Sequence, residues 1–300
     1  MKILVTGASG FLGRRLTREL VAGGHEVTAL GRTLPEPVEP FGGAELVVGD
    51  ITDQASLERV RRGMPGPEAI VHLAGLVPRS RDEDLPGAMA GVNVGGTVNL
   101  LEVFGPVVTR FVYASTAEVY GLPQVPGPIS EGTPPDPPSY YAASKLAAEV
   151  FCEVYGKRHS LPVAVLRLSV LYGPGDRINR AIPNFVRSAL SGRNLQVHGG
   201  EELRDYLYVD DAAEALRLAV LGKAPGTFNI GSGRATSIRE VAQAVIERIG
   251  GDLSVEVLPR TKVASDIVMD ITRAQADLGF RPRYFFPDML DEQMACPEPG

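Results

Sequence analysis

Seven apolar segments recur along the chain: "KILVTG" from Lys2, "HEVTALG" from His25, "AELVVGD" from Ala44, "AIVHLAG" from Ala69, "TRFVYAST" from Thr109, "PVAVLRLSVLYG" from Pro162 and "GTFNIGSG" from Gly226. The first six run without polar alternation, as strands buried on both faces do. Between them lie segments of helical periodicity: "FLGRRLTRELVAGG", "QASLERVRRG", "VNVGGTVNLLEVF" and "YYAASKLAAEVFCEVYGKR". Strand and helix in alternation predict an α/β protein built on a doubly wound parallel sheet.

Beyond residue 172 the texture changes. "INRAIPNFVRSALSGR" and "SIREVAQAVIERIGG" each read as an amphipathic helix, and "RDYLYVDDAAEALRLAVLG" between them reads as a return to the main sheet. The expected division is a core domain over 1–172, rejoined by about 204–231, and a smaller substrate-binding lobe from about 173–203 and 232–300. Two Pro/Gly-rich stretches, 33–43 and 121–138, read as loops.

Composition narrows the partners. With 300 residues the chain has ample core, and at a net charge of −6 with no basic run it is not expected to bind nucleic acid. No apolar run approaches the roughly 18 residues of a membrane span, and residues 1–5 enter a strand directly, so a cytoplasmic protein without a membrane partner is expected. Two distant cysteines (Cys152, Cys296) and four scattered histidines give neither a disulfide framework nor a metal-ligand spacing.

"VTGASGFLG" follows the first strand and opens the first helix. Gly7 permits a tight turn, Gly10 lets the backbone approach a pyrophosphate, and Gly13 lets the helix pack close to the sheet. Phe11 and Leu12 complete the helix start that faces the phosphates. The spacing predicts dinucleotide binding on a Rossmann-like sheet. The second strand ends in Gly31 and Arg32, where NAD-binding chains commonly carry an acid for the ribose 2′-hydroxyl. Without that acid nothing repels a 2′-phosphate, and Arg32 can grip one, so the expected cofactor is NAD(P), with NADP favoured. Asp50 and Ile51, after the third strand, are placed to frame the adenine.

"PPSYYAASK" holds two tyrosines and a lysine. A helix turns roughly 100° per residue, so Tyr141 and Lys145 lie about 40° apart while Tyr140 points about 140° away from Lys145. Only Tyr141 shares a face with Lys145. A free tyrosine has a pKa of about 10, and a nearby ammonium is one way to bring it toward neutrality. Tyr-x-x-x-Lys alone is common, and by itself reads as an ordinary amphipathic helix with a surface lysine.

Taken in order, "TGASGFLG", "GDITD", "HLAG", "NVGGTVNLLE", "ASTAEVYG", "YYAASK", "LYGPG", "RDYLYVDD" and "NIGSG" resemble the extended short-chain dehydrogenases, in particular the NAD-dependent epimerase/dehydratase family of nucleotide-sugar enzymes, over roughly 1–285. The resemblance implies that Tyr141 is the catalytic acid/base. It gives Lys145 the tasks of lowering the Tyr141 pKa and holding the nicotinamide ribose, and it has Thr116 orient the reacting hydroxyl. Tyr140 becomes a packing or pocket-wall residue, and Asn93 falls on a structural asparagine of the central helix. Leu73, Ala74 and Gly75 of "HLAG" fall to the cofactor, and Arg204 and Arg260 to a substrate diphosphate. Glu118 matches a glutamate with which family dehydratases move a proton, although the acid that precedes it in many of them is Ala117 here. Val170 or Leu171 stands where many relatives have a nucleotide-contacting asparagine. Asp210 is read as a helix N-cap. The implied function is epimerisation or dehydration of a nucleotide sugar through a transient ketone, and the family allows a homodimer. NADPH-dependent reduction of a keto-sugar or other carbonyl compound is the competing enzymatic reading, and a non-catalytic cofactor-binding regulator the reading from another class.

Overall fold

The computed structural model describes residues 1–33, 41–79, 81–123, 127–176, 178, 180–260 and 266–295. In chain order the strands are β1 Lys2–Thr6, β2 Glu26–Gly31, β3 Glu45–Val48, β4 Ala69–His72, β5 Arg110–Thr116, β6 Val163–Leu168, β7 Val170–Tyr172, β8 Leu195–His198, β9 Leu203–Arg204, β10 Tyr206–Tyr208, β11 Gly226–Ile230, β12 Thr236–Ser237 and β13 Val255–Leu258. The α-helices are α1 Phe11–Ala22, α2 Gln54–Gly63, α3 Pro86–Met89, α4 Gly96–Phe104, α5 Tyr140–His159, α6 Ala181–Leu190, α7 Val209–Leu221, α8 Ile238–Ile249 and α9 Leu290–Ala295.

Seven strands form the central sheet in the order β11-β6-β5-β4-β1-β2-β3, every pairing parallel. Successive residues of β1 feed opposite cores: Ile3 and Val5 pack on the side of α1 and α7, Leu4 on the side of α2, α4 and α5. Strands with two covered faces have no room for polar alternation, which is why their sequence is continuously apolar. β3 departs from that expectation. It is an edge strand, paired to β2 alone, and its residues are half-buried or exposed. Most of the 33–43 loop lies outside the described residues, as do part of the 121–138 loop and Cys296.

A separate apolar cluster joins α6, α8, β8, β10 and Leu290. The expected return to the sheet is β11. β10 pairs instead with β7, in a two-stranded ribbon. Asp205, fully buried between β9 and β10, accepts hydrogen bonds from the Ser232 backbone and hydroxyl (both 2.7 Å), the Gly233 N–H (3.0 Å) and the Met269 N–H (3.3 Å). A Cβ on Gly231 would stand 2.4 Å from the same carboxylate, so "RDY" and "NIGSG" are two halves of one junction. Asp210 does not cap α7: Tyr208 is the N-cap residue, and Asp210, in the first turn, pairs with Arg15 at 3.3 Å. No helix among the described residues is long and apolar enough to cross a membrane.

Candidate active site

The carboxyl ends of the parallel strands open into one cavity of about 510 Å³. It runs from Gly31, Arg32, Asp50 and Ile51, at the ends of β2 and β3, past the glycine turn after β1, to Thr116, Tyr141 and Lys145 beside β5. The strand order reverses between β1 and β4, and ligands of open α/β sheets lie across such a switch point.

Backbone geometry fixes the first half of this cavity. Gly7 has φ +69°, and a Cβ there would lie 2.6 Å from the Ala74 nitrogen. A Cβ on Gly13 would lie 2.2 Å from the Gly7 carbonyl oxygen. Gly10 has no such clash, its nearest neighbour being the Gly7 oxygen at 3.1 Å. It lines the cavity, as its expected approach to a ligand requires. No side chain caps α1, so its first N–H groups are available to an anion.

Leu73, Ala74 and Gly75 form the facing wall. His72, fully buried, holds it in place. The Thr97 hydroxyl donates to the Asn93 carbonyl (2.6 Å), so its oxygen accepts from His72 Nε2–H (3.0 Å). His72 Nδ1 then accepts from the Thr6 hydroxyl (2.7 Å), whose oxygen in turn accepts the Ala74 N–H (3.2 Å). Burial, seconded by the Lys145 charge, pushes the imidazole down to about 3, so it stays neutral. Asn93, in a π-helical turn over Ala90–Gly95, accepts the Leu76 N–H and donates to the Leu76 carbonyl and Ser144 hydroxyl. It is a structural clamp between this wall and α5.

The second half is built from side chains. Tyr141 is 8% exposed and faces the cavity, while Tyr140 is 55% exposed and lies outside its lining, so Tyr140 is a surface residue and not a pocket wall. The Ser139 hydroxyl caps α5 by accepting the Ala142 N–H. The Asp84 carboxylate, from a distant turn, accepts the N–H groups of Tyr140 (3.0 Å) and Tyr141 (2.7 Å). Both anchors fix the turn that carries Tyr141.

Lys145 is buried, its Nζ 4.4 Å above the centre of the Tyr113 ring. Burial lowers it to about 8, with Glu149 and Cys152 opposing, so it remains largely cationic at neutral pH. Tyr141 is shifted upward, first by burial and then by the Glu118 charge. The opposing influences are the Arg180 guanidinium and the Thr116 hydroxyl. The Arg180 guanidinium is thus a cation that favours the ionised phenol. Glu118 does not line the cavity. Its surface is solvent-accessible, yet the protein around it still raises its carboxyl.

Arg204 and Arg260 do not line the cavity either. Arg260 pairs with Glu202 through two contacts of 3.0 and 2.8 Å, and Arg204 lies in the field of the same pair while donating to the Leu203 carbonyl. Sequence reasoning missed Arg14, Arg79 and Arg180 on the cavity wall, and Asp84 behind it. Arg14 could have been found as the residue after the last motif glycine. The others carry no local signal.

A glycine turn at a switch point, leading to a Thr–Tyr–Lys set, defines a nicotinamide-dinucleotide enzyme of the short-chain dehydrogenase type. The family model for the NAD-dependent epimerase/dehydratase family matches residues 3–231. A dTDP-glucose 4,6-dehydratase of Streptomyces niveus is 32% identical over 97% of this chain and 91% of its own. A UDP-glucose 4-epimerase of Mycolicibacterium smegmatis is 36% identical over 94% of each. The crystal structure of the Thermus thermophilus UDP-glucose 4-epimerase in complex with NAD superposes with a TM-score of 0.87 at 32% identity, covering 98% of both chains. The chain belongs to the NAD-dependent epimerase/dehydratase family.

Proposed function

We propose that this enzyme epimerises a nucleotide sugar through a transient ketone. The observation that carries the reading is the convergence of Thr116, Tyr141 and Lys145 on the cavity that begins at the glycine turn. A bound nicotinamide would supply the acceptor and then the donor of hydride for the sugar carbon. Tyr141 takes the hydroxyl proton as hydride leaves and returns it when hydride comes back to the other face. Thr116 orients that hydroxyl, and Lys145, cationic and buried, is placed to hold the nicotinamide ribose. Ala117 offers no second acid and Glu118 stands off the cavity lining, which favours epimerisation over elimination. Arg260 could serve a diphosphate only by leaving Glu202.

A second reading, NADPH-dependent reduction of a keto-sugar, is favoured by one feature. Arg32 follows Gly31 at the 2′-position, and Arg14 stands on the same cavity wall. We take NADP(H) as the preferred cofactor on that ground. The nucleotide carried by the purified protein separates the two reactions. Retained dinucleotide, with interconversion of UDP-glucose or dTDP-glucose in the absence of added cofactor, supports epimerisation. Protein that arrives empty and consumes NADPH only with a keto-sugar supports reduction. We place the enzyme in the cytoplasm, where such substrates are supplied.

We also infer a homodimer through α5, whose outer face exposes Val150, Phe151 and Val154. Phe151→Glu should turn a dimer into a monomer in light scattering. A parent protein that is already monomeric removes this inference.

A further inference from the structure

Arg180 is the N-cap residue of α6, half-buried, on the wall of the cavity that holds Thr116, Tyr141 and Lys145. Among the described residues its guanidinium has no hydrogen-bond or ion-pair partner. Among them the residue bonds through its backbone alone: its N–H donates to the Ile178 carbonyl, and its carbonyl accepts the Asn184 N–H. A partly desolvated charge without a partner is costly, and in a ligand site the missing partner is supplied by the ligand. Guanidinium is a permanently charged, planar fork that matches a carboxylate through two parallel hydrogen bonds.

Its position says which part of a ligand it meets. Arg180 lines the cavity together with Tyr141, and its charge acts on the Tyr141 hydroxyl, so it stands at the reacting end. On the reading that Tyr141 works on a nucleotide sugar, the substrate atoms nearest Tyr141 are those of the sugar ring. The diphosphate leaves that ring from its other side. Glu118 is near but forms no ion pair with Arg180. We propose that Arg180 grips a carboxylate carried by the sugar itself, so that the substrate is an acidic sugar, a nucleoside-diphosphate uronate, rather than a neutral hexose.

The test compares UDP-glucuronate with UDP-glucose, and the dTDP pair likewise, on the dinucleotide-loaded full chain. Epimerised sugar is measured by chromatography, and kcat/KM is taken for each. The parent should prefer the uronate by at least about tenfold. Arg180→Ala should reduce the uronate-to-hexose ratio of kcat/KM by roughly ten- to a hundred-fold, mostly through KM, and Arg180→Lys should restore part of it. Unchanged cofactor affinity and thermal midpoint in both variants show that the fold is intact. An equal loss on both sugars means that the guanidinium serves the phosphates or the Tyr141 proton, and overturns the proposal. A parent that turns over only the neutral sugar also overturns it, leaving the nucleotide-sugar reading in place. A parent that binds dinucleotide but acts on none of the four sugars overturns that underlying reading, and this inference with it.

Discussion

The two ends of the cavity are made in different ways. At the dinucleotide end the walls are backbone: Gly7 against Ala74, Gly13 against Gly7, and the loop after β4 held by the buried His72–Thr6–Thr97 chain. At the substrate end the walls are side chains drawn from β5, α5 and the N-cap of α6, with the Arg180 guanidinium unengaged among the described residues and Arg260 engaged elsewhere. A backbone site tolerates little variation and writes itself into the sequence as glycines at fixed spacing. A side-chain site can be respecified by single substitutions, so its sequence says less about its ligand.

The sharpest way to break this contrast is at Tyr141. Tyr141→Phe should lower turnover by about a thousand-fold, the middle of the range for loss of general acid–base catalysis, with cofactor affinity changed only a few-fold. Tyr140→Phe should stay near parent activity in the same assay. The reverse pattern would mean that the buried tyrosine is structural.

Gly13→Ala tests the backbone end. The added methyl would meet the Gly7 carbonyl at 2.2 Å, so α1 must move from the sheet. Overpacking of this kind costs about 1–3 kcal/mol. The thermal midpoint should fall, and dinucleotide affinity should fall by at least about tenfold because the phosphate turn moves with the helix. Parent-like values in calorimetry would show that this end is more plastic than its glycines suggest.

Arg32→Ala sharpens the comparison, since Arg32 is a side-chain determinant placed at the backbone end. Losing a charge-assisted contact to a 2′-phosphate costs about 1.5–3 kcal/mol, or roughly ten- to a hundred-fold for NADP(H), with NAD(H) barely altered. Equal titration of both cofactors into the parent would leave Arg32 a solvated residue and strengthen the case for a retained NAD.

The smallest expected effect lies behind the backbone end, where α1 packs on α7. Burial, with Asp210 and Glu214 adding to it and Arg283 and Arg217 opposing, raises the Glu19 carboxyl from 4.5 to about 7, and its Oε2 has no hydrogen-bond partner. The folded chain therefore binds this proton more tightly than the unfolded chain. Stability from this group is lost as pH rises from about 4.5 through about 7. Glu19→Gln should remove that slope and raise stability at pH 8 by on the order of 1 kcal/mol, after allowing for solvent screening at a half-buried site. Melting curves of parent and variant, recorded on both sides of the window, check the sign.

The sheet, the glycine turn and the facing of Tyr141, not Tyr140, into the cavity were legible because each rests on a local period: continuous apolar runs, a three-residue glycine spacing, a four-residue helical step. What was not legible depends on contacts between distant segments. Asp84 caps α5 from 57 residues away and leaves no pattern in either segment. Arg204 and Arg260 were expected at the substrate, but neither lines the cavity, and Arg260 is taken by a neighbouring acid, Glu202, a pairing that sequence order does not reveal. Arg180 gained its place from the fold of the segment after β7.

The Asp205 junction also bears on where the molecule could be cut. Its donors lie 27 residues later, at Ser232, and 64 residues later, at Met269. A chain leaving the ribosome exposes the acceptor well before its last donor exists, so this junction closes only once Met269 has been made. A fragment ending at 231, where the family match stops, would contain every strand of the central sheet and none of the residues that donate to the Asp205 carboxylate. The segment beyond the family match thus supplies, among the described residues, every donor to that carboxylate, and removing it is expected to destabilise the part that carries the signature.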